Sequence, residues 1–290
     1  MALQIDDIVH PSDRSTRQRL EAIPVLQPAV KAYLKFTSER VDRFQLVTQG
    51  LRLGPKQFPD VYGLLPPICA AFGIAEPELF MAAGEDNAST SGTTSVTIAV
   101  SGDLLESLKE EELRAVIAHE CGHILANHVL YHSMADALAS GVLAGAFKMG
   151  GPVGSVASLA SGPMQAALMA WSRASELTAD RASIVYMGSP MPLVTALLKI
   201  AGVPAQRIPT VDLNLLIAQA IEFDPLSQSI WDRLLQSGVM RGASHPLLAF
   251  RVKEAFAFAA TPECQAAQRA IRNPTVPAPA RPPQLPAAAP

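Results

Sequence analysis

Cysteine and charge of one sign are both scarce in this 290-residue chain, and each shortage excludes something. Three cysteines (Cys69, Cys121 and Cys264) are too few and too scattered for a disulfide framework, which suits a reducing compartment. The net charge is only -3 and no lysine/arginine cluster is visible, so neither a nucleic-acid footprint nor a polybasic surface is expected. Met1 to Leu20 is polar and charged and lacks the apolar stretch of a secretory signal, so a cytoplasmic location is expected. Residues 273–290 are mostly proline and alanine with almost no charge. They cannot build a core and read as a disordered or extended tail.

Against these shortages stands a hydrophobic fraction of 49%, enough for one large domain or two small ones. After a polar lead-in over 1–20, helical spacing of apolar residues predicts one or two helices between Val25 and Gln49. Asp60 to Phe72 reads as a helix interrupted near Pro66-Pro67 and closed by Gly73. Leu79 to Ala82 is a short strand, Gly84 to Gly92 a polar loop, and Thr93 to Val100 the best strand of the chain. Ser107 and Glu110 read as a capping box ahead of a long helix. Residues 133–172 are apolar and rich in Gly, Ser and Ala. A buried helix pair and a membrane hairpin both fit that stretch; its breaks and small side chains favour the buried pair. Further helices are expected at Ser172–Met187, Met191–Ile200, Asp212–Ile221, Ser227–Gln236 and Pro246–Ala259.

The chain is organised around His119-Glu120-Cys121-Gly122-His123. On a helix His119 and His123 point about 40° apart and can converge on one ion. Glu120 lies about 100° round from His119, in reach of a water on that ion. A catalytic zinc takes three protein ligands and keeps one position open, so a third ligand is needed elsewhere. Glu176 and Asp180, four apart on a later helix, can supply a ligand and a hydrogen-bond partner for a ligand imidazole. The same spacing also fits a solvated salt-bridge face with Arg173 and Arg181. His128 and His132 point about 180° and 220° round if the helix continues, away from the metal face. With Asp136 they form a stripe that reads as a partly exposed polar face or, less simply, a second metal site.

The pentad, Glu176-Leu-Thr-Ala-Asp180-Arg181 and Ser244-His245-Pro246 with Arg251 together resemble the M48 family of zinc metallopeptidases, within the gluzincin clan, over about residues 60–260. Asn87-Ala88, Ser95 to Val100 and Glu112 to Ala118 also resemble it. The resemblance implies a mainly helical α+β, zincin-like domain with a small antiparallel sheet beside the pentad helix. It implies one Zn2+ per chain held by His119, His123 and Glu176, with Glu120 as general base. Asp180 would orient His119, Arg251 would pair with Glu176 and Asp180, and His245 would steady the oxyanion. Ser95, Val96, Thr97, Ile98 and Ala99 would form the edge strand along which a polypeptide substrate lies. Cys121 stands where the family often has a larger aliphatic residue. The expected organisation is an N-terminal helical segment at 1–58, a peptidase domain at 59–262 with an insertion at 133–172, and the tail at 273–290. The expected activity is that of a zinc metalloendopeptidase. A membrane-associated quality-control protease of HtpX type, a zinc hydrolase of non-peptide bonds and a silent binding module are the alternatives.

Overall fold

The computed structural model describes residues 3–22, 39–83, 87–92, 95–130, 132, 162–221 and 248–272. The tail, His245 and most of the 133–172 insertion lie outside the described residues, as do the stretches 23–38 and 227–236. No described helix is long and apolar enough to cross a membrane.

Helix α1 (Pro11–Glu21) and α2 (Glu39–Gln49) precede a one-turn helix at Pro59–Tyr62 and α3 (Leu65–Phe72). Pro66 and Pro67 sit in the first turn of α3, where a missing N–H costs nothing, and Gly73 ends it at φ 67°. Four strands form one sheet: β1 (Leu51–Arg52), β2 (Glu78–Ala82), β3 (Ala88–Ser91) and β4 (Thr97–Ser101). Their order is β1-β2-β4-β3, with β2 and β4 parallel and the other pairs antiparallel. The sheet is therefore mixed rather than antiparallel. The polar loop expected at 84–92 contains β3, whose Ala-Ser-Thr-Ser sequence carries little strand signal.

Ser101 caps α4 (Gly102–Ser107) through its side chain. The long helix α5 then spans Glu110–Leu125. Its capping contact differs from the expected one. Ser107 belongs to α4, and it is Glu112 that reaches back to the Lys109 N–H at 2.7 Å while also pairing with Lys199. Helix α6 (Gly162–Met187) packs along α5, followed by α7 (Met191–Ile200), α8 (Leu248–Ala259) and α9 (Pro262–Arg272). Residues 213–221 are also helical, and α9 lies beyond the last expected helix, although Thr261-Pro262-Glu263 is a helix-start pattern and Thr261 Oγ1 accepts from the Cys264 N–H at 3.2 Å.

Helix α5 is buried from Ala115 through His123 on every side, so each of its polar groups needs a partner. Leu65, Ile68 and Phe72 of α3, Ile98 and Val100 of β4, and Ile184 and Val185 of α6 surround it in one core. The N-terminal segment is part of that core, not a lead-in: Leu3 and Ile8 are buried and α1 packs on α6. Arg17 donates to the Ala126 carbonyl at the end of α5.

Helices α5 and α6 approach closely at Gly122. A Cβ there would lie 2.8 Å from Ala182 Cβ and 3.0 Å from Ala179 Cα. Helix propensity alone favours alanine by about 1 kcal/mol. Overpacking works against it by about 1–3 kcal/mol, because both neighbours are short and attached to backbone. Gly122→Ala is therefore expected to lower the thermal midpoint. A midpoint at or above that of the parent chain would show that the two helices are not in this contact.

Candidate metal centre

Close packing at Gly122 brings the His119 and His123 face of α5 against Glu176 of α6. His119 Nε2 and His123 Nε2 lie 3.1 Å apart. Glu176 Oε2 is 3.4 Å from His119 Nε2, and Glu176 Oε1 is 3.4 Å from His123 Nε2. Ligand atoms on a tetrahedral zinc with bonds of about 2.0–2.1 Å sit about 3.3 Å from one another. The two imidazoles and the carboxylate therefore fit one face of such a coordination sphere in both size and chemistry.

Each donor is held in place by a further contact. His119 Nδ1 lies 2.9 Å from Asp180 Oδ1, so a proton on Nδ1 leaves the Nε2 lone pair facing the triangle. Arg251 of α8 forks onto Asp180, with Nε 2.8 Å from Oδ2 and Nη2 2.6 Å from Oδ1. Its Nη1 reaches Glu176 Oε2 at 3.3 Å. Asp180 and Arg251 are both almost fully buried, so this is a charge pair away from water. Burial alone would raise the Asp180 carboxyl, but Arg251 and His119 hold it below the usual carboxylate value. Burial works the same way on Glu176, and His119, His123 and Arg251 hold it well below. Burial disfavours a charged His119, yet Asp180 and Glu176 outweigh that and push its pKa up to about 10. The two carboxylates thus favour positive charge on the imidazole that lies between them.

Glu120 lies beside the triangle and is buried. Thr90 of β3 donates to its Oε2 at 2.6 Å. Nothing in the sequence marked Thr90, because its partner lies 30 residues away and β3 reads as a loop.

The two histidines expected to face away from the metal side do not. Helix α5 ends at Leu125, and Asn127 adopts φ 56°, a left-handed conformation that asparagine tolerates. The Asn127 N–H bonds to the Ile124 carbonyl and the His128 N–H to the His123 carbonyl, closing a Schellman turn. The chain reverses and lays His128 Nδ1 3.0 Å from His123 Nδ1. His128 is fully buried rather than part of an exposed stripe, and burial lowers its pKa to about 4. Its Nε2 lies 2.9 Å from Asp13 Oδ2. His132 Nε2 lies 2.7 Å from Ser175 Oγ. Asp136 lies outside the described residues.

The substrate edge also needs correction. Residues 95–99 do not form an edge, because β4 is flanked by β2 and β3. The Val96 carbonyl accepts from the Glu78 N–H, and Ser95 Oγ accepts from Arg43. The sheet edge nearest the centre is β3, which packs beside α5.

Residues 55–258 match the sequence profile of peptidase family M48. The chain is 28% identical over 261 residues to the plastoglobule-localized metallopeptidase 48, chloroplastic, of Arabidopsis thaliana, covering 87% of this chain and 72% of that one. It is 30% identical over 167 residues to a protease HtpX homolog of Ralstonia nicotianae, covering 50% of this chain and 58% of the relative. A second protease HtpX homolog, from Moorella thermoacetica, is 30% identical over 195 residues, covering 60% of this chain and 65% of its own length. The chain thus spans less than two thirds of either bacterial relative. No solved structure matches it.

Arg251 pairs with Asp180 and reaches Glu176, so it offsets the charge of both carboxylates. Removing one partner of a buried pair leaves the other uncompensated, which costs about 3–5 kcal/mol. Arg251→Met keeps the volume and is expected to lower stability by that amount in urea titrations run with chelator. A loss under about 1 kcal/mol would mean that the pairing is not made in solution.

Proposed function

This chain belongs to peptidase family M48, and from that premise we propose that it is a zinc-dependent metalloendopeptidase acting on polypeptides. Metalloprotease activity follows from the family; the metal, the residue roles and the mode of cleavage are our reading. The observation that carries it is the triangle of His119, His123 and Glu176, with Glu120 beside it on the same helix. In this reading these three residues hold one Zn2+ per chain.

When bound, the cation acts as a Lewis acid that acidifies water towards a pKa of about 7 and polarises a carbonyl. The remaining work falls to the chain. Glu120 accepts the proton of the attacking water and returns it to the leaving amine as the C–N bond breaks. The Thr90 hydroxyl fixes which Glu120 oxygen faces the reaction, since Oε2 is occupied by its hydrogen bond. Asp180 holds the His119 imidazole in the tautomer that leaves Nε2 free. Arg251 keeps both carboxylates ionised. His245, outside the described residues, is assigned to the developing oxyanion. The substrate lies as an extended strand on β3, where backbone groups on the side away from β4 are available for β-augmentation. The peptidase domain runs over 59–262, and the segment at 1–58 is assigned to the same unit because α1 packs on α6.

Cleavage of casein by zinc-loaded enzyme tests this reading. Glu120→Gln should keep the zinc and lose about 10²–10⁴-fold in kcat/KM. Thr90→Val should lose about tenfold, the effect of one hydrogen bond. Glu176→Ala should lose the zinc itself. Equal cleavage by Glu120→Gln and the parent chain would rule out the assigned proton path, and full zinc occupancy in Glu176→Ala would remove Glu176 from the ligand set.

A further inference from the structure

His119 has a carboxylate directly behind it, and His123 does not. What stands behind His123 is His128, and behind His128 is Asp13 of α1. We infer that Asp13 is a positioning residue for His123, acting through His128, so that the N-terminal segment completes the metal centre from outside the 55–258 region matched to the family. This inference rests on the zinc reading of His119, His123 and Glu176 given above.

The protons along this chain can be placed by elimination. Two imidazole nitrogens 3.0 Å apart share one proton, since two would repel and none would leave facing lone pairs. With Nε2 of His123 turned to the ligand triangle, that proton sits on His123 Nδ1 and is donated to His128 Nδ1. The His128 proton then sits on Nε2 and is donated to Asp13 Oδ2 at 2.9 Å. A single arrangement satisfies every nitrogen, and it ends on an anion. Asp13 therefore does for His123, at one remove, what Asp180 does for His119 directly.

Asp13 is itself built in. It is fully buried, and Thr178 of α6 donates to its Oδ2 at 2.6 Å. The Thr178 hydroxyl in turn accepts from the His10 N–H at 3.0 Å. Thr178 lies two residues after Glu176, so the element that presents the carboxylate ligand also anchors the carboxylate behind His123. Burial pushes the Asp13 carboxyl up, but the hydrogen bonds from His128 and Thr178 outweigh it and keep the group ionised.

His123, His128 and His132 also bring three nitrogens within 4.8 Å of one another, a spacing that could hold a second ion. Both nitrogens of His128 are already used, however, and His123 would have to bridge two metals as an imidazolate. The hydrogen-bonded chain explains the same geometry without breaking any contact.

The test compares the full chain with Asp13→Ala, Asp13→Asn and Asp13→Glu, with His123→Ala and Asp180→Asn as references. Zinc affinity is read by chelator competition, the ligand field by the visible spectrum of the Co2+ form, and the fold by thermal unfolding with chelator. Asp13→Ala and Asp13→Asn are expected to weaken zinc about 10–100-fold and shift the Co2+ bands, with partial recovery in Asp13→Glu. If Asp13→Ala does not fold, the isosteric Asp13→Asn carries the comparison. Parent-like affinity and an unshifted Co2+ spectrum in Asp13→Asn, with His123→Ala still losing zinc, would overturn the inference and leave the zinc reading intact. Two zinc ions per chain, one of them lost in His132→Ala, would also overturn it. Failure of the parent chain to bind zinc would instead sink the zinc reading and the inference with it.

Discussion

Two helices meet here through glycine and alanine, and the separation of His119 and His123 from Glu176 depends on that contact. Gly122 faces Ala179 and Ala182 with no room for a methyl group between them. Ser183 fastens the same interface by donating to the Ala115 carbonyl at 2.7 Å. The histidines on one helix and the carboxylate on the other are thereby held about 3.4 Å apart without any long side chain having to stretch. Rigid elements with interlocked side chains hold ligand geometry better than loops do.

The same packing creates a problem that the remaining residues solve. A helix buried on all sides has placed His119, Glu120 and His123 out of water, and α6 adds the buried Asp180 and the part-buried Glu176. Unpartnered, these groups would be costly. Arg251 forks onto Asp180 and touches Glu176, Thr90 takes Glu120, and His128 takes His123. These partners come from α8, β3 and the turn after α5, with Asp13 of α1 behind His128. The centre is thus a meeting point of most of the fold, and damage far away in sequence can reach it.

The pentad was legible because it obeys helical spacing on one element, whereas for Glu176 and Asp180 spacing left a solvated salt-bridge face equally open and the family motif singled them out. Arg251 was legible through its family motif. Thr90 and Asp13 carry no such pattern: their roles come from contacts spanning 30 and 115 residues. The strand order β1-β2-β4-β3 was equally hidden, since β3 is short and poor in β-branched residues, and its place at the edge depends on pairing rather than composition. His128 was misplaced for a different reason. The angles assumed that α5 continues, whereas Asn127 ends it with a left-handed turn; asparagine is a known stop residue, but the apolar Val129 and Leu130 that follow masked it.

The most direct test of the metal centre is anomalous diffraction at the zinc edge from crystals of the full chain. The expected result is one peak per chain, bounded by His119 Nε2, His123 Nε2 and a Glu176 oxygen, with the His128 ring against the far side of His123. A peak among His123, His128 and His132 instead, or no peak from zinc-loaded crystals, would contradict it.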